Sequence, residues 1–179
     1  FNPEVKLVSV DSTKKELVFS SERDEYGSAL FTTSFDFLVY VPPHQGPKVV
    51  RESEIGNEMG WIPADGKTLK TEYENVFAIG DVAAITLASG KPLSKAGVFA
   101  HFEAEVVAEN IASGIKNLPA KKEYGGHAYC FLELGFGRSG FASGNFYAEP
   151  APAIKMKHPS RMWHWGKVWF EKYWLRRGF

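Results

Sequence analysis

Apolar and polar residues follow a strand-like pattern at the start of the chain and a helix-like spacing near its middle. Val5 to Val10 and Glu16 to Ser20 read as strands, and Asp11-Ser12-Thr13-Lys14-Lys15 joins them as a hairpin. Ala29 to Thr33 reads as a third short strand. Phe35 to Val41 is a stronger one, stopped by Pro42-Pro43. Pro42 to Pro47 is a loop, and Val49 to Gly60 is weakly helical. Val76 to Ile79 is a short apolar run of β-formers, the pattern of a buried strand, and Gly80-Asp81 ends it. Ser94 is placed to cap a helix running to about Ser113, with Gly114 as its stop. Ala96, Ala100, Ala104, Val107 and Ile111 fall three or four apart and share one face, small at its start. Leu118 to Lys122 is a linker. Ala128 to Leu134 and Gly140 to Tyr147 are strands with a glycine bend between them. Glu149 to Pro152 is a connector, and Ser160 to Gly178 reads as a helix. No internal repeat is visible.

Composition narrows the class. The 179 residues are 44% hydrophobic and 23% charged, as in a folded domain with a core. Lys+Arg 21 balances Asp+Glu 21, so no overall charge points to nucleic acid. One cysteine excludes an internal disulfide and a thiolate zinc site, and no metal site is expected. No apolar run reaches the ~20 residues of a membrane span. Residue 1 is Phe, and the chain opens directly into strand-like sequence. The expectation is the C-terminal part of a longer protein.

Two motifs compete for a nucleotide. Gly135-Phe136-Gly137-Arg138-Ser139-Gly140 has the letters of a dinucleotide fingerprint. That fingerprint works when a helix N-terminus follows and receives the pyrophosphate. Here Phe141 to Tyr147 is β-like and runs into Pro150 and Pro152, so a hairpin is expected instead. Gly80-Asp81 is the better candidate. Glycine lets the backbone approach a ligand, and an aspartate just past a strand end can accept bonds from hydroxyls. Taken alone, the pair is also what a buried strand with an Asp turn would show.

The whole stretch Thr68-Leu69-Lys70-Thr71-Glu72-Tyr73-Glu74-Asn75-Val76-Phe77-Ala78-Ile79-Gly80-Asp81 resembles the second flavin-binding motif of the FAD-dependent pyridine nucleotide–disulfide oxidoreductases. The resemblance implies that Asp81 holds the ribityl chain of FAD. Gly60-Trp61-Ile62-Pro63-Ala64-Asp65 resembles the segment before that motif. Leu93-Ser94-Lys95-Ala96-Gly97, with Ala104, Ala108, Asn110 and Ile111 after it, is similar to the helix that follows. Gly80, Asp81, Lys95, Ala96 and Gly97 are thereby the expected cofactor-binding residues. The small start of the helix suits close packing on a sheet. It also suits a helix N-terminus set against the flavin ring, where backbone amides favour negative charge. The glycine loop that would hold the pyrophosphate is expected upstream, so this piece alone is expected to carry no FAD.

Cys130 lies within Tyr129-Cys130-Phe131-Leu132-Glu133-Leu134-Gly135, a short linker after that helix. A lone cysteine in an apolar strand is commonly a small core residue. Its placement is similar to the C-terminal redox cysteine of the sulfide:quinone oxidoreductases. There two cysteines flank the flavin, and the partner would lie upstream. Strand alternation sets Glu133 on the face opposite Cys130, which leaves it outside the expected catalytic set.

The tail carries Lys155, Lys157, Arg161, Lys167, Lys172, Arg176 and Arg177 against the single acid Glu171. Met162, Trp165, Trp169 and Tyr173 form one helical line, and Trp163, Phe170 and Trp174 widen it. Such a helix packs on a core or lies in a headgroup region, where tryptophan with lysine and arginine is at home. The tail looks like the membrane-gripping end of a sulfide:quinone oxidoreductase, which makes Trp165, Trp169, Phe170 and Tyr173 the expected quinone and membrane residues.

The expected fold is α/β: a β-meander and part of a Rossmann-type FAD domain, followed by a β-hairpin and an amphipathic helix. Residues 1–47 would end an NAD-like domain, 48–117 would close the FAD-binding domain, and 118–179 would form the membrane and quinone region. The resemblance implies electron transfer from sulfide through FAD to a membrane quinone. A donor of NADH, with Cys130 merely buried, is the alternative within the same fold. A sulfide dehydrogenase serving a cytochrome and a non-catalytic membrane-docking module are further readings. The expected setting is a peripheral, monotopic one on a cytoplasmic membrane face, with self-association through the tail and no nucleic acid.

Overall fold

The computed structural model describes residues 4–21 and 29–177. The chain is mixed α/β and divides into two compact units, Phe1–His44 and Gln45–Phe179.

The first unit is an antiparallel meander of β1 (Val5–Asp11), β2 (Glu16–Ser21) and β3 (Ala29–Ser34), in that order. The Asp11 carboxylate accepts the amides of Thr13 (3.0 Å) and Lys14 (2.9 Å), which closes the hairpin turn. Phe19 stacks on Phe31 across the sheet. Phe35 to Val41 is not the expected strand. It is irregular, with Phe37 84% and Val39 74% exposed. A strand needs a neighbour to answer its amides and carbonyls, and among the described residues no strand lies beside this one.

The second unit begins with a single helical turn, α1 (Lys48–Arg51), where a weak helix to Gly60 was expected. The short strands β4 (Ile62–Pro63) and β5 (Ala83–Ala84) then pair in parallel. Val76 to Ile79 forms no named strand. It folds back on its own loop through Lys70↔Phe77, with Ala78 N–H donating to the Leu69 carbonyl. Its burial is as expected at Ala78, which is 3% exposed. Gly80–Val82 is one 3-10 turn.

The long helix α2 (Gly97–Ile115) starts later than Ser94. The preceding residues are tied into the sheet instead: Leu93 N–H donates to the Ile85 carbonyl, and the Lys95 ammonium bonds the Ala83 carbonyl. Gly114 lies inside the helix, and Asn117 takes the left-handed stop at φ 55. Leu118 N–H returns to Ser113 and Asn117 N–H to Gly114, a Schellman ending. The buried line of α2 is Phe99, Glu103, Val106 and Asn110, turned from the alanine line, and Ile111 is 45% exposed. Asn110 earns its burial by bonding Lys122 N–H and C=O at once.

The remainder is an antiparallel sheet of β6 (His127–Glu133), β7 (Ser139–Asn145) and β8 (Ala153–Ser160). Gly135, Phe136 and Gly137 all have positive φ and make the β6–β7 turn, so the fingerprint letters lead into a strand as expected. β8 follows the Glu149 to Pro152 connector, in residues to which the sequence pattern assigns no element. The final helix α3 (Arg161–Arg177) is capped by Ser160, whose Oγ accepts Trp163 N–H at 3.3 Å. Gly178, the expected helix end, lies outside the described residues. The core joins Ile62, Leu69, Ala78, Ile85, Phe99, Val106 and Tyr124 between α2 and the strands beneath it.

Candidate active site

The Gly80–Asp81 turn is built from three directions. Gly80 has φ 68, a conformation that favours glycine, and a Cβ there would stand 3.2 Å from Ala100 Cβ on α2. The Gly80 amide donates to Glu103 Oε2 at 2.7 Å. Lys95 lies over the Trp61 ring, 4.6 Å from its centroid, while its ammonium holds Ala83 just past the turn. Asp81 itself is exposed.

Glu103 is the residue that the sequence pattern missed. It is 1% exposed, on the buried helix line that lies beside the expected alanine line. Burial pushes its carboxyl above the usual range, and the Gly80 amide and Lys95 offset part of that rise. Burial likewise lowers Lys95, with Asp81 and Glu103 opposing. Tyr124 and Tyr147 are raised by burial first and then by Glu103. The sole signal in the sequence was spacing: Phe99, Glu103, Val106 and Asn110 also fall four and three apart.

α2 begins without a side-chain cap; the Phe99 and Ala100 amides donate to the Ala96 carbonyl, which leaves those of Gly97 and Val98 for another partner. Beside that start lies a cleft of about 440 Å³, mainly apolar, lined by Ala96, Gly97, His101, Cys130, Phe170 and Trp174 among others. It brings three expected groups together: the start of the helix, the cysteine, and one tail aromatic. Cys130 is exposed on the edge strand β6, so it is not a buried core residue. Its thiol approaches the Phe131 carbonyl at 3.4 Å.

Glu133 serves α3. Its Oε1 lies 2.5 Å from Ser139 Oγ, 3.0 Å from His164 Nδ1 and 3.7 Å from Lys167 Nζ. The Ser139 hydroxyl, followed by His164, holds its carboxyl below the usual carboxylate range. An ionised carboxylate can only accept, so His164 Nδ1 carries the hydrogen. This cluster ties α3 to the hairpin, and Lys167 continues from it into the Cys130 cleft.

α3 has two unlike faces. Trp163 stacks on Phe141 at 4.7 Å, Phe170 meets Tyr129 and Phe131, and Trp174 meets His101. The other face shows Met162, Trp165 (67% exposed), Trp169 (78%) and Tyr173 to solvent. Trp165, Trp169, Phe170 and Tyr173 together line one shallow apolar groove on α3, and Phe170, at the seam between the faces, also reaches Tyr129 and Phe131. Among the described residues no helix is long and apolar enough to cross a membrane, and no group of three or more possible metal ligands occurs.

No protein-family model matches the chain. The mitochondrial sulfide:quinone oxidoreductase of Schizosaccharomyces pombe is 30% identical over 146 residues, 81% of this chain and 30% of that protein. The mouse protein of the same name is 28% identical over 145 residues, 80% of this chain and 30% of its own length. A chain of the Tetrahymena thermophila mitochondrial ATP synthase shares the fold at a TM-score of 0.56 and 19% identity, over 76% of this chain and 31% of that one. The two sulfide:quinone oxidoreductases bear out the family resemblance. The chain is related to the sulfide:quinone oxidoreductases, and it spans about 30% of the length of the two that it matches.

Proposed function

We propose that this chain is the C-terminal part of an FAD-dependent oxidoreductase that moves two electrons from sulfide to a membrane quinone. The observation that carries the reading is the cleft in which Cys130 meets the uncapped start of α2 and the aromatic inner face of α3. Residues 1–47 would close an NAD-like domain, 48–117 the FAD-binding domain, and 118–179 the membrane and quinone region.

The residues suit a flavin. Gly80 lets α2 approach the turn closely, Asp81 is exposed and accepts hydrogen bonds, and the α2 amides favour anionic charge. Asp81 would hold the ribityl hydroxyls, with Ala96 and Gly97 against the ring. When bound, FAD carries the two electrons between donor and acceptor. Sulfide would attack a disulfide between Cys130 and a second cysteine upstream. A bond to the sulfide sulfur forms, the cysteine–cysteine bond breaks, and the other cysteine leaves as a thiolate whose electron pair goes on to the quinone by way of the flavin. The sulfide sulfur is oxidised and stays on as a persulfide. The quinone gains the two electrons and two protons. The outer face of α3 would rest on the membrane where quinone enters.

Anaerobic addition of sulfide to the full-length protein tests this. Sulfide should bleach the flavin absorbance at about one equivalent, and NADH should leave it unchanged. Bleaching by NADH alone would replace this reading with an NADH:quinone oxidoreductase. Asp81→Ala in the full-length protein should weaken FAD binding. A lost charge-assisted bond costs roughly 1.5–3 kcal/mol, or about one to two decades in affinity. Flavin retained through dialysis as in the wild type would count against Asp81.

A further inference from the structure

The second unit buries one carboxylate that the proposed chemistry does not use. Glu103 is 1% exposed, and its Oε2 takes the Gly80 amide at 2.7 Å. Gly80 is the residue whose positive φ starts the turn carrying Asp81. Ala100, one helical turn before Glu103, presses on the same glycine from α2. Lys95 pins the far end of the turn through the Ala83 carbonyl. The charged and titratable groups facing Glu103 are Lys95, Asp81, Tyr124 and Tyr147.

An acid in this place is costly. A well-packed apolar residue is often neutral or stabilising where a buried charge stands. Packing alone therefore gives no reason for a glutamate under Gly80. The bond gives one: a carboxylate holds an amide more strongly and more directionally than a neutral acceptor does. A turn held in advance loses less freedom when a ligand arrives.

We propose that Glu103 is the positioning residue of the Gly80–Asp81 turn, holding the Gly80 amide so that the Asp81 carboxylate is set for the ribityl hydroxyls. This rests on the flavin reading above. Glu103 touches no hydroxyl itself and works through the backbone of the turn.

The test is a double-mutant cycle on FAD affinity in the full-length protein, with thermal melts of each apoprotein as a folding control. Glu103→Leu should weaken FAD roughly tenfold to a hundredfold. Glu103→Gln keeps a neutral acceptor and should recover most of the loss, ending about threefold weaker than wild type. In an Asp81→Ala background, Glu103→Leu should cost less than about twofold further, because the group it positions is gone. A purely structural role would lower the melt while leaving the two losses independent, and that result overturns the proposal. So does wild-type affinity in folded Glu103→Leu. If the leucine variant does not fold, Glu103→Gln decides: equal affinity to wild type overturns the proposal, and a loss that vanishes in Asp81→Ala supports it. If the wild type itself takes no flavin, the flavin reading falls and Glu103 with it. If the wild type binds and the losses are independent, Glu103 alone falls.

Discussion

Cys130→Ser in the full-length protein is expected to abolish sulfide-dependent quinone reduction while FAD stays bound. Serine nearly preserves the shape and can donate to the Phe131 carbonyl that the thiol now approaches. Cys130 is exposed at the edge of its sheet, so little packing depends on the sulfur. What disappears is a thiolate that forms and exchanges sulfur–sulfur bonds, which an alcohol cannot do near neutral pH. Loss of a covalent nucleophile lowers turnover on the order of a thousandfold or more. Steady-state quinone reduction with sulfide as donor checks the rate, and the visible spectrum checks the flavin. Turnover at the wild-type rate would make Cys130 a surface residue of the cleft and favour NADH as donor.

The second large effect belongs to α3. Tryptophan emission should shift to the blue when anionic vesicles are added, and salt should weaken the binding. The structure says which rings move. Trp163 and Trp174 already rest on Phe141 and His101, so the shift should come from Trp165 and Trp169. Each of those presents roughly 150 Å² of ring to water, worth on the order of 3 kcal/mol when buried in lipid. The tail cations add about 1 kcal/mol each near an anionic surface before screening. Trp165→Glu with Trp169→Glu removes both rings and adds two negative charges. Binding should fall at least a hundredfold, while the inner face keeps α3 on its sheet. Emission that ignores vesicles, or double-variant binding that matches wild type, would remove the membrane role from this face. An exposed patch of this kind also favours self-association without lipid, which sedimentation at rising salt would show.

Phe35 to Val41 and Val76 to Ile79 have strand composition, yet composition does not supply a neighbour. One is irregular and exposed, and the other folds back on its own loop. Ser94 has the chemistry of a cap, but Leu93 and Lys95 are committed to Ile85 and Ala83, so the helix waits until Gly97. The buried face of α2 differs from its alanine line for a related reason. Alanines mark small residues, not buried ones, and Glu103 and Asn110 are buried because backbone groups far along the chain answer them.

By itself the sequence determined what depends on neighbours a few residues apart. That covers the β1–β2 hairpin closed by Asp11, the β-turn that disqualifies the Gly135 fingerprint, the Ser160 start of α3 and its tryptophan line. The Gly80-Asp81 stretch and the setting of Cys130 also carried the family resemblance, because such motifs are written in consecutive residues. Tertiary structure alone decided that Cys130 is exposed, that it shares a cleft with the start of α2 and with Phe170, that α3 turns Trp163 inward and Trp165 outward, and that Glu103 holds Gly80. These join residues from 22 to 40 apart in numbering, and no period along the chain encodes which distant amide a buried carboxylate will meet.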